Sequence, residues 1–125
     1  MKTIIEKELS YVINELLFKS HNDLDRFCKE KQYGDYFEKL LNETHIDYER
    51  EKNLPVEFID NRFTNIVDFA INERLLVDLK AKSIVTKDDY YQMNRYLDAS
   101  GLQLGLIVNF RNKYLKPIRV IRSHS

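Results

Sequence analysis

The fold is decided in residues 65–81, which read NIVDFAINERLLVDLKA. Two short runs rich in Ile, Val, Leu and Phe flank Asn72 and Glu73, which we interpret as a tight turn. This pattern predicts a β-hairpin whose two strands both contribute to a core. Each strand nevertheless contains charged residues, and charges on core strands need a reason.

The charges of the hairpin fall on one surface of the predicted sheet. Side chains alternate along a strand, so Asp78 and Lys80 point to the same face while Leu79 points to the other. Because the connecting turn is short, Asp68 can lie across from Asp78. The hairpin therefore brings three ionisable groups together on one sheet surface.

The paired aspartates carry the chemical signal of the hairpin. Two nearby carboxylates repel each other in a partly desolvated site, and a hard cation such as Mg²⁺ removes that repulsion by binding both. A lysine beside them can hold a scissile phosphate or orient the attacking water. The alternative is that Lys80 only neutralises one aspartate in a buried ion pair. Such a pair usually loses more hydration energy than it regains, so we favour a metal-dependent site.

The segment before the hairpin predicts two helices and a first strand. Thr3 and Glu6 have the spacing of a capping box, and apolar residues then recur at helical intervals over residues 3–19. Asn22 and Asp23 can cap a second helix that ends near Thr44. The alternating pattern from Tyr48 through Pro55 and Phe58 predicts a strand that Pro55 restricts to an edge or irregular position.

The segment after the hairpin predicts a crossover helix and two more strands. Thr86 and Asp89 can cap a helix to about Ala99, and Ser100 with Gly101 supplies its stop signal. LQLGLIVNF then has the composition of a buried central strand, and KPIRVIRS alternates as a terminal strand. The element order is ααβββαββ, and a right-handed crossover makes the sheet mixed, so the class is α/β or α+β.

Length and composition predict a single intracellular domain over residues 1–125. With 43% hydrophobic and 32% charged residues, the chain has material for one core and lacks the profile of a disordered or membrane-inserted protein. Cys28 is the single cysteine and the three histidines are dispersed, which excludes an internal disulfide and a zinc motif. A reducing cytoplasm fits this composition, and we expect Cys28 to be a buried structural thiol in the register of Leu24 and Phe27.

The formal net charge of zero hides an uneven distribution. The 20 acidic residues all lie at or before Asp98, so residues 1–98 carry a net −5 and residues 99–125 a net +5. A basic final segment beside an acidic metal site would suit a phosphate-binding surface, whereas the alternative is a solvated basic tail. The candidate nucleic-acid-binding residues of this segment are Arg111, Lys113, Lys116, Arg119 and Arg122.

The chain resembles a known nuclease family. An aspartate followed by Asp-x-Lys on a hairpin, with a helix before it and a helix and apolar strand after it, resembles the PD-(D/E)XK nuclease superfamily. The surrounding sequence is similar to the small GxxExxxY family within it. The segments that carry the resemblance are EKQY (30–33), VDFAI (67–71), VDLKA (77–81), QMNRYL (92–97) and GLIVNF (105–110). The sequence departs from the family because no glycine stands at the expected position ahead of Glu30, Val67 replaces a proline, and Asp78 replaces the common glutamate.

The resemblance implies a restriction-endonuclease-like core and a role for each matching residue. Asp68 and Asp78 would bind the metal together with the backbone carbonyl of Leu79, and Lys80 would stabilise charge and position water. Glu30 would be an additional acidic ligand, directly or through water, although a solvated helix charge is the alternative. Gln92 would hydrogen-bond substrate or water. We expect Tyr33 and Tyr96 to serve mainly in packing.

Two functions stay open at the level of sequence. The first is a nuclease that uses Mg²⁺ or Mn²⁺ to hydrolyse DNA or RNA, with Asp68, Asp78, Lys80, Gln92 and Glu30 as its catalytic residues. The second is a non-catalytic module that keeps the fold and binds nucleic acid or a partner protein. An obligate homodimer with a tyrosine-rich interface is compatible with either function, because the chain contains eight tyrosines.

Overall fold

The computed structural model describes residues 5–54 and 65–122. The element order ααβββαββ is confirmed. No helix in these two ranges is both long enough and apolar enough to cross a membrane. The elements are α1 (Lys7–Leu24), α2 (Glu30–Glu43), β1 (Tyr48–Asn53), β2 (Ile66–Ile71), β3 (Leu75–Lys80), α3 (Lys87–Ser100), β4 (Leu104–Asn109) and β5 (Ile118–Ile121).

The five strands form one mixed sheet in the order β1-β2-β3-β4-β5. β3 and β4 are parallel and joined by α3, whereas the other neighbouring strands are antiparallel. Helices α1 and α2 cover one face, where residues such as Leu17 and Phe37 pack on Phe69 and Leu106. Helix α3 covers the other face. The chain therefore has the mixed α+β architecture that the pattern predicts, and β1 is an edge strand.

The β2–β3 hairpin turns as expected. Asn72 and Glu73 both adopt positive φ angles, 52° and 56°, which suits a tight turn matched to the twist of its strands. The Arg74 N–H donates to the Ile71 carbonyl at 3.0 Å and closes the turn. Because the turn is this tight, it determines the register of the two strands that carry Asp68 and Asp78.

Helix α3 begins and ends where local signals place it. The Asp89 carboxylate accepts the N–H of the N-cap residue Thr86 at 2.8 Å, which forms half of the expected capping box. At the other end Gly101 adopts φ 76° and donates its N–H to the Leu97 carbonyl at 2.9 Å. The left-handed conformation is the reason that a glycine ends this helix.

The boundary between the first two helices differs from the prediction. Asn22 and Asp23 do not cap a second helix, because α1 continues to Leu24 and α2 begins only at Glu30. The intervening loop is fastened by a tertiary contact, since the Tyr33 hydroxyl accepts the Cys28 N–H at 3.1 Å and donates to the Asp25 carbonyl. Sequence periodicity carries no information about that contact.

Two further expectations for the amino-terminal half are corrected. The first helix begins at Lys7, after Glu6 in a left-handed conformation, and Thr3 lies outside the described residues, as do Pro55 and Phe58. Cys28 is only partly buried, with its thiol donating to the Leu24 carbonyl at 3.2 Å, so the expectation of a buried thiol is wrong. Phe27 does not continue an apolar helix face but lies in the loop, 69% exposed.

Candidate active site

The candidate site begins where β2 and β3 separate. Their paired register runs from Ile71–Leu75 to Phe69–Val77, and the next step would set Asp68 opposite Asp78. At that point the Leu79 N–H donates to the Asp68 carboxylate, at 2.7 Å from Oδ2. A side chain thus satisfies a backbone donor at the point where the ladder ends, which holds Asp68 in a defined position.

Asp78, Lys80 and Gln92 meet on the face covered by α3. The Lys80 Nζ lies 2.8 Å from Asp78 Oδ2 and donates to Gln92 Oε1, also at 2.8 Å. Asp78 is buried, with 5% of its surface exposed. The structure therefore brings together the three residues that the sequence places on β3 and on the crossover helix.

Two charged residues join this cluster that the sequence reasoning did not assign to it. Asp89 is buried and lies 2.5 Å from Lys82 Nζ and 3.7 Å from Lys80 Nζ. Burial alone would raise the pKa of Asp89, but Lys82 and the Thr86 N–H lower it further than burial raises it. The sequence pattern predicts only a helix-capping role for Asp89. The available signal was Lys82 itself, which follows Lys80 by two residues, just beyond the end of β3.

Electrostatics within the site favour a proton on Asp68 and a charge on Lys80. Burial raises the pKa of Asp68 to about 7, and the nearby Asp78 carboxylate adds to the rise. Burial lowers the pKa of Lys80, but its contact with Asp78 outweighs burial, so the pKa of Lys80 lies above its ordinary value. Lys80 is therefore cationic at neutral pH.

Glu30 reaches the same site from the first residue of α2. It shares a cleft of about 260 Å³ with Asp68 and Leu79. The pKa of Glu30 is raised, first by its partial removal from water, while Lys80 opposes the rise and Asp78 adds to it. The cleft is lined by Glu30, Lys31, Gly34, Arg50, Glu51, Asp68, Phe69 and Leu79.

The donor set fits a divalent cation of the Mg²⁺ type. No three Asp, Glu, His or Cys side chains form a ready metal-binding group within residues 5–54 and 65–122. Mg²⁺ does not require such a group, because it is commonly bound by one or two carboxylates and keeps several waters. Burial is the main cause of the raised pKa of Asp68, and repulsion from Asp78 adds to it; a shared cation would relieve that repulsion. Asp68, Asp78 and the Leu79 carbonyl are the groups that would hold it.

Tyr33 and Tyr96 are packing residues, as expected. Tyr33 is fully buried and stacks on Phe110 with ring centroids 4.1 Å apart. Tyr96 is 2% exposed in the core beneath α3. Burial is the main cause of the raised pKa of each tyrosine, and both therefore stay neutral at physiological pH.

The basic residues of the final segment lie in different parts of the fold. Arg111 follows β4 and donates from Nε to the Arg26 carbonyl at 2.9 Å. Arg119 lies on β5 and donates to Ser10 Oγ at 2.9 Å and to the Ile5 carbonyl at 2.7 Å. Arg122 follows the far end of β5, where its N–H donates to the Gln103 carbonyl at 2.9 Å. Lys113 and Lys116 are exposed in the β4–β5 loop.

Comparison with known proteins identifies the fold and the family of the chain. No curated protein sequence matches the chain. The fold is similar to that of an alkaline exonuclease from Laribacter hongkongensis, with a TM-score of 0.50 and 14% sequence identity over 98% of this chain and 73% of that chain. The restriction-endonuclease-like core is thereby confirmed. The sequence model of the PD-(D/E)XK nuclease superfamily matches residues 7–121. The chain therefore belongs to the PD-(D/E)XK nuclease superfamily.

Proposed function

We propose that this protein is a divalent-metal-dependent nuclease that hydrolyses phosphodiester bonds in DNA or RNA. Membership of the superfamily implies a nucleic-acid substrate. The observation that carries the proposal is the convergence of Asp68, Asp78 and Lys80 where β2 and β3 separate, with the Lys80 Nζ 2.8 Å from the Asp78 carboxylate. This convergence supplies two carboxyl groups and one cation at the same end of the hairpin.

The residues divide the work by charge. Asp68, Asp78 and the Leu79 carbonyl would bind Mg²⁺ or Mn²⁺, and Glu30 would contribute through a water from the wall of the cleft. When bound, the ion supplies an activated water and neutralises charge on the phosphate. Asp68 must lose its proton to bind the ion, so metal affinity should rise as the pH increases through about 7.

Lys80 acts as a cation and not as a general base in this proposal. Its raised pKa keeps it protonated at neutral pH, so it can hold a phosphate oxygen or the attacking water but cannot accept a proton from that water. The Gln92 Oε1 accepts a hydrogen bond from the ammonium group at 2.8 Å, and an Asp89 carboxylate oxygen lies 3.7 Å from the same nitrogen. These contacts restrict the rotamers of a flexible side chain before substrate arrives.

A cleavage assay tests the proposal. Purified protein is incubated with plasmid and with single-stranded DNA and RNA, in the presence of Mg²⁺ or Mn²⁺, and products are resolved on gels. Lys80→Ala should lower the cleavage rate by at least about 100-fold, the usual effect of removing one charge-stabilising donor. Lys39→Ala is the matched control, because Lys39 is an exposed lysine on α2. Failure of the wild-type protein to cleave any of these substrates would contradict the proposal.

A non-catalytic binding module is the second candidate. The observation that favours it is that Lys80 already neutralises Asp78, which lowers the need for a cation. Calorimetric titration with Mg²⁺ and Mn²⁺ separates the two functions. The nuclease proposal requires binding that Asp78→Ala weakens strongly, whereas absent binding, or equal binding by wild type and Asp78→Ala, supports the module.

Finer assignments are also proposed. The order of EKQY, VDFAI, VDLKA, QMNRYL and GLIVNF supports membership of the GxxExxxY family. One sheet with a core on each face supports a single domain over residues 1–125. The single cysteine supports a cytoplasmic location. Exposed Tyr90 and Tyr91 support a tyrosine-bearing contact with a second copy or a partner protein, which light scattering with size-exclusion chromatography would test.

A further inference from the structure

Two loops border the candidate site and carry residues that the proposed catalysis does not use. The α1–α2 loop (residues 25–29) leads directly into Glu30. The β4–β5 loop (residues 110–117) begins at Phe110, whose N–H donates to the Lys80 carbonyl at 2.9 Å. Asn109 also donates from its side chain to the Lys82 carbonyl at 2.8 Å. Both loops therefore lie at the end of the sheet where Lys80 ends β3.

Each loop presents an exposed aromatic ring with a cation over it. Phe27 is 69% exposed, and the Arg26 guanidinium carbon lies 4.8 Å from its ring centroid. The Arg111 guanidinium carbon lies 6.0 Å from the same ring, which links the two loops. Tyr114 is 78% exposed, with the Lys113 ammonium 5.5 Å from its ring. Because each ring keeps most of its surface open, a planar ligand can still reach it.

The two loops are held in place by contacts with the folded core. The Arg111 Nε donates to the Arg26 carbonyl at 2.9 Å, which joins one loop to the other. His21 Nε2 hydrogen-bonds the Asn112 carbonyl oxygen at 2.8 Å. Tyr33 anchors the α1–α2 loop through its hydroxyl and stacks on Phe110 at the start of the second loop. Phe27 is therefore exposed on an ordered loop, so its exposure does not follow from a lack of anchoring contacts.

We propose that Phe27, Tyr114, Arg26, Arg111 and Lys113 form a stacking platform for single-stranded nucleic acid. Unpaired bases offer open π-faces to aromatic rings, whereas paired bases in a duplex are covered by their neighbours. The adjacent cations suit the phosphates on either side of a stacked base. The inference rests on the proposed nuclease function, because the platform would deliver the same strand that the Asp68–Asp78–Lys80 site cleaves. It assigns the substrate class as a strand that is unpaired where it meets the site.

Fluorescence anisotropy with two ligands tests this platform. The ligands are a fluorescein-labelled oligothymidylate and an abasic oligonucleotide of the same length, which keeps the phosphates and lacks the bases. Titrations are run without divalent metal, so that binding is measured apart from cleavage. Phe27→Ala should weaken oligothymidylate binding about 5-fold to 100-fold, the usual range for loss of one stacking contact, and leave abasic binding unchanged.

Two control variants sharpen the test. Phe27→Trp keeps a stacking ring and should retain oligothymidylate affinity within about 3-fold, since every base stacks on an aromatic face. Tyr11→Ala removes a ring that is 67% exposed near the start of α1, and it should change neither affinity. Because Phe27 is itself largely exposed, its replacement should leave the melting temperature within about 3 °C of wild type, which circular dichroism checks.

The outcomes separate this inference from the proposed function. The platform is wrong if Phe27→Ala binds both ligands as tightly as wild type does, or if it loses affinity for both ligands equally. It is also wrong if the wild-type protein binds the two ligands with equal affinity. Base-dependent binding by a protein that cleaves nothing supports the platform and contradicts the nuclease. If the wild-type protein cleaves nucleic acid but Phe27→Ala does not change the affinity for oligothymidylate, the platform is wrong and the proposed nuclease function still stands.

Discussion

Asp68 experiences opposing interactions at one carboxyl group. The Leu79 N–H at 2.7 Å favours the ionised form, whereas burial and Asp78 favour the protonated form and raise its pKa to about 7. In an unfolded chain the same carboxyl would titrate near 3.8. The metal-free protein therefore folds with an acid whose ionisation it opposes, and a cation or a proton must relieve that opposition.

The first prediction concerns stability as a function of pH. Because the folded pKa of Asp68 lies above its unfolded value, the stability it contributes is fully present below pH 3.8 and is lost as the pH rises through about 7. Asp68→Asn mimics the protonated acid at every pH. It should therefore be more stable than wild type at pH 8. We expect a difference on the order of 2 kcal/mol, which is less than the full pKa shift would give, because solvent partly screens the partly exposed side chain.

Urea unfolding with a chelator, at several values between pH 4 and pH 8, measures this difference. Titrating groups remote from Asp68 cancel between the two proteins, so the difference should grow with pH across that range. Addition of Mg²⁺ should reduce it at pH 8, because the ion stabilises only the protein that has both carboxylates. A difference that stays constant from pH 4 to pH 8 would contradict the assignment of the pKa to Asp68.

The sequence predicts part of this site and not the rest, for a geometric reason. One tight turn separates Asp68 from Asp78 and Lys80. The alternation of side chains along the two strands is therefore enough to bring the three groups together. Asp89 has a local explanation as the cap of α3, and its contact with Lys82 depends on how that helix lies across the sheet. When a residue such as Asp89 already has a local explanation, its tertiary contact cannot be predicted from the sequence.

Among the elements, α3 and β4 approach each other closely at Gly105. A Cβ atom at this position would lie 2.3 Å from the Met93 sulfur and 2.8 Å from its Cγ. Both elements are tightly enclosed there, since β4 is buried throughout and Met93 is 1% exposed. The absence of a side chain at Gly105 thus sets the distance at which α3, with Gln92 on it, lies over β3 and β4.

The second prediction compares two glycines. Gly105→Ala should lower the free energy of unfolding by about 1–3 kcal/mol, because the added methyl group would force the buried Met93 side chain to shift. Gly34→Ala should stay within about 1 kcal/mol of wild type, because the added atom meets only the end of the flexible Arg50 side chain and alanine favours the helix. Urea unfolding measures both variants. If both variants lost the same free energy of unfolding, close packing at Gly105 would not explain the effect of an added side chain.

Helix boundaries show which elements can be predicted from local sequence. Thr86, Asp89 and Gly101 act within α3 itself, so the predicted and observed ends of that helix agree. The loop after α1 depends on Tyr33 from the next helix and on Arg111 from beyond β4. Its apolar spacing continues that of α1, and only the tertiary contacts explain why Phe27 is exposed there.

At the scale of the whole molecule, the basic side chains of the final segment have two different roles, which the neutral total charge does not show. The final segment carries a net +5, but its residues lie in different places. Lys113 is exposed in the β4–β5 loop beside Tyr114, near the end of β3 that bears Lys80. Arg119 instead bonds Ser10 and the Ile5 carbonyl, so it fastens the start of α1 to β5. A basic tail and a phosphate-binding surface are therefore not exclusive descriptions of this segment.

The last prediction separates these two uses by salt dependence. Each phosphate contact with a single strand contributes about 0.7 to the slope of log affinity against log salt. Lys113→Ala should therefore lower the slope for oligothymidylate by about 0.7 and leave unfolding unchanged, because its ammonium lies in an exposed loop. Arg119→Ala should leave the slope unchanged and lower the free energy of unfolding by about 1 kcal/mol, because two hydrogen bonds to an exposed guanidinium are lost. Anisotropy titrations at several KCl concentrations, with urea unfolding in parallel, measure both quantities. If Arg119→Ala changed the slope as much as Lys113→Ala, the nucleic acid would have to extend along β5, and a binding surface confined to the end of the sheet beside Lys80 would be wrong.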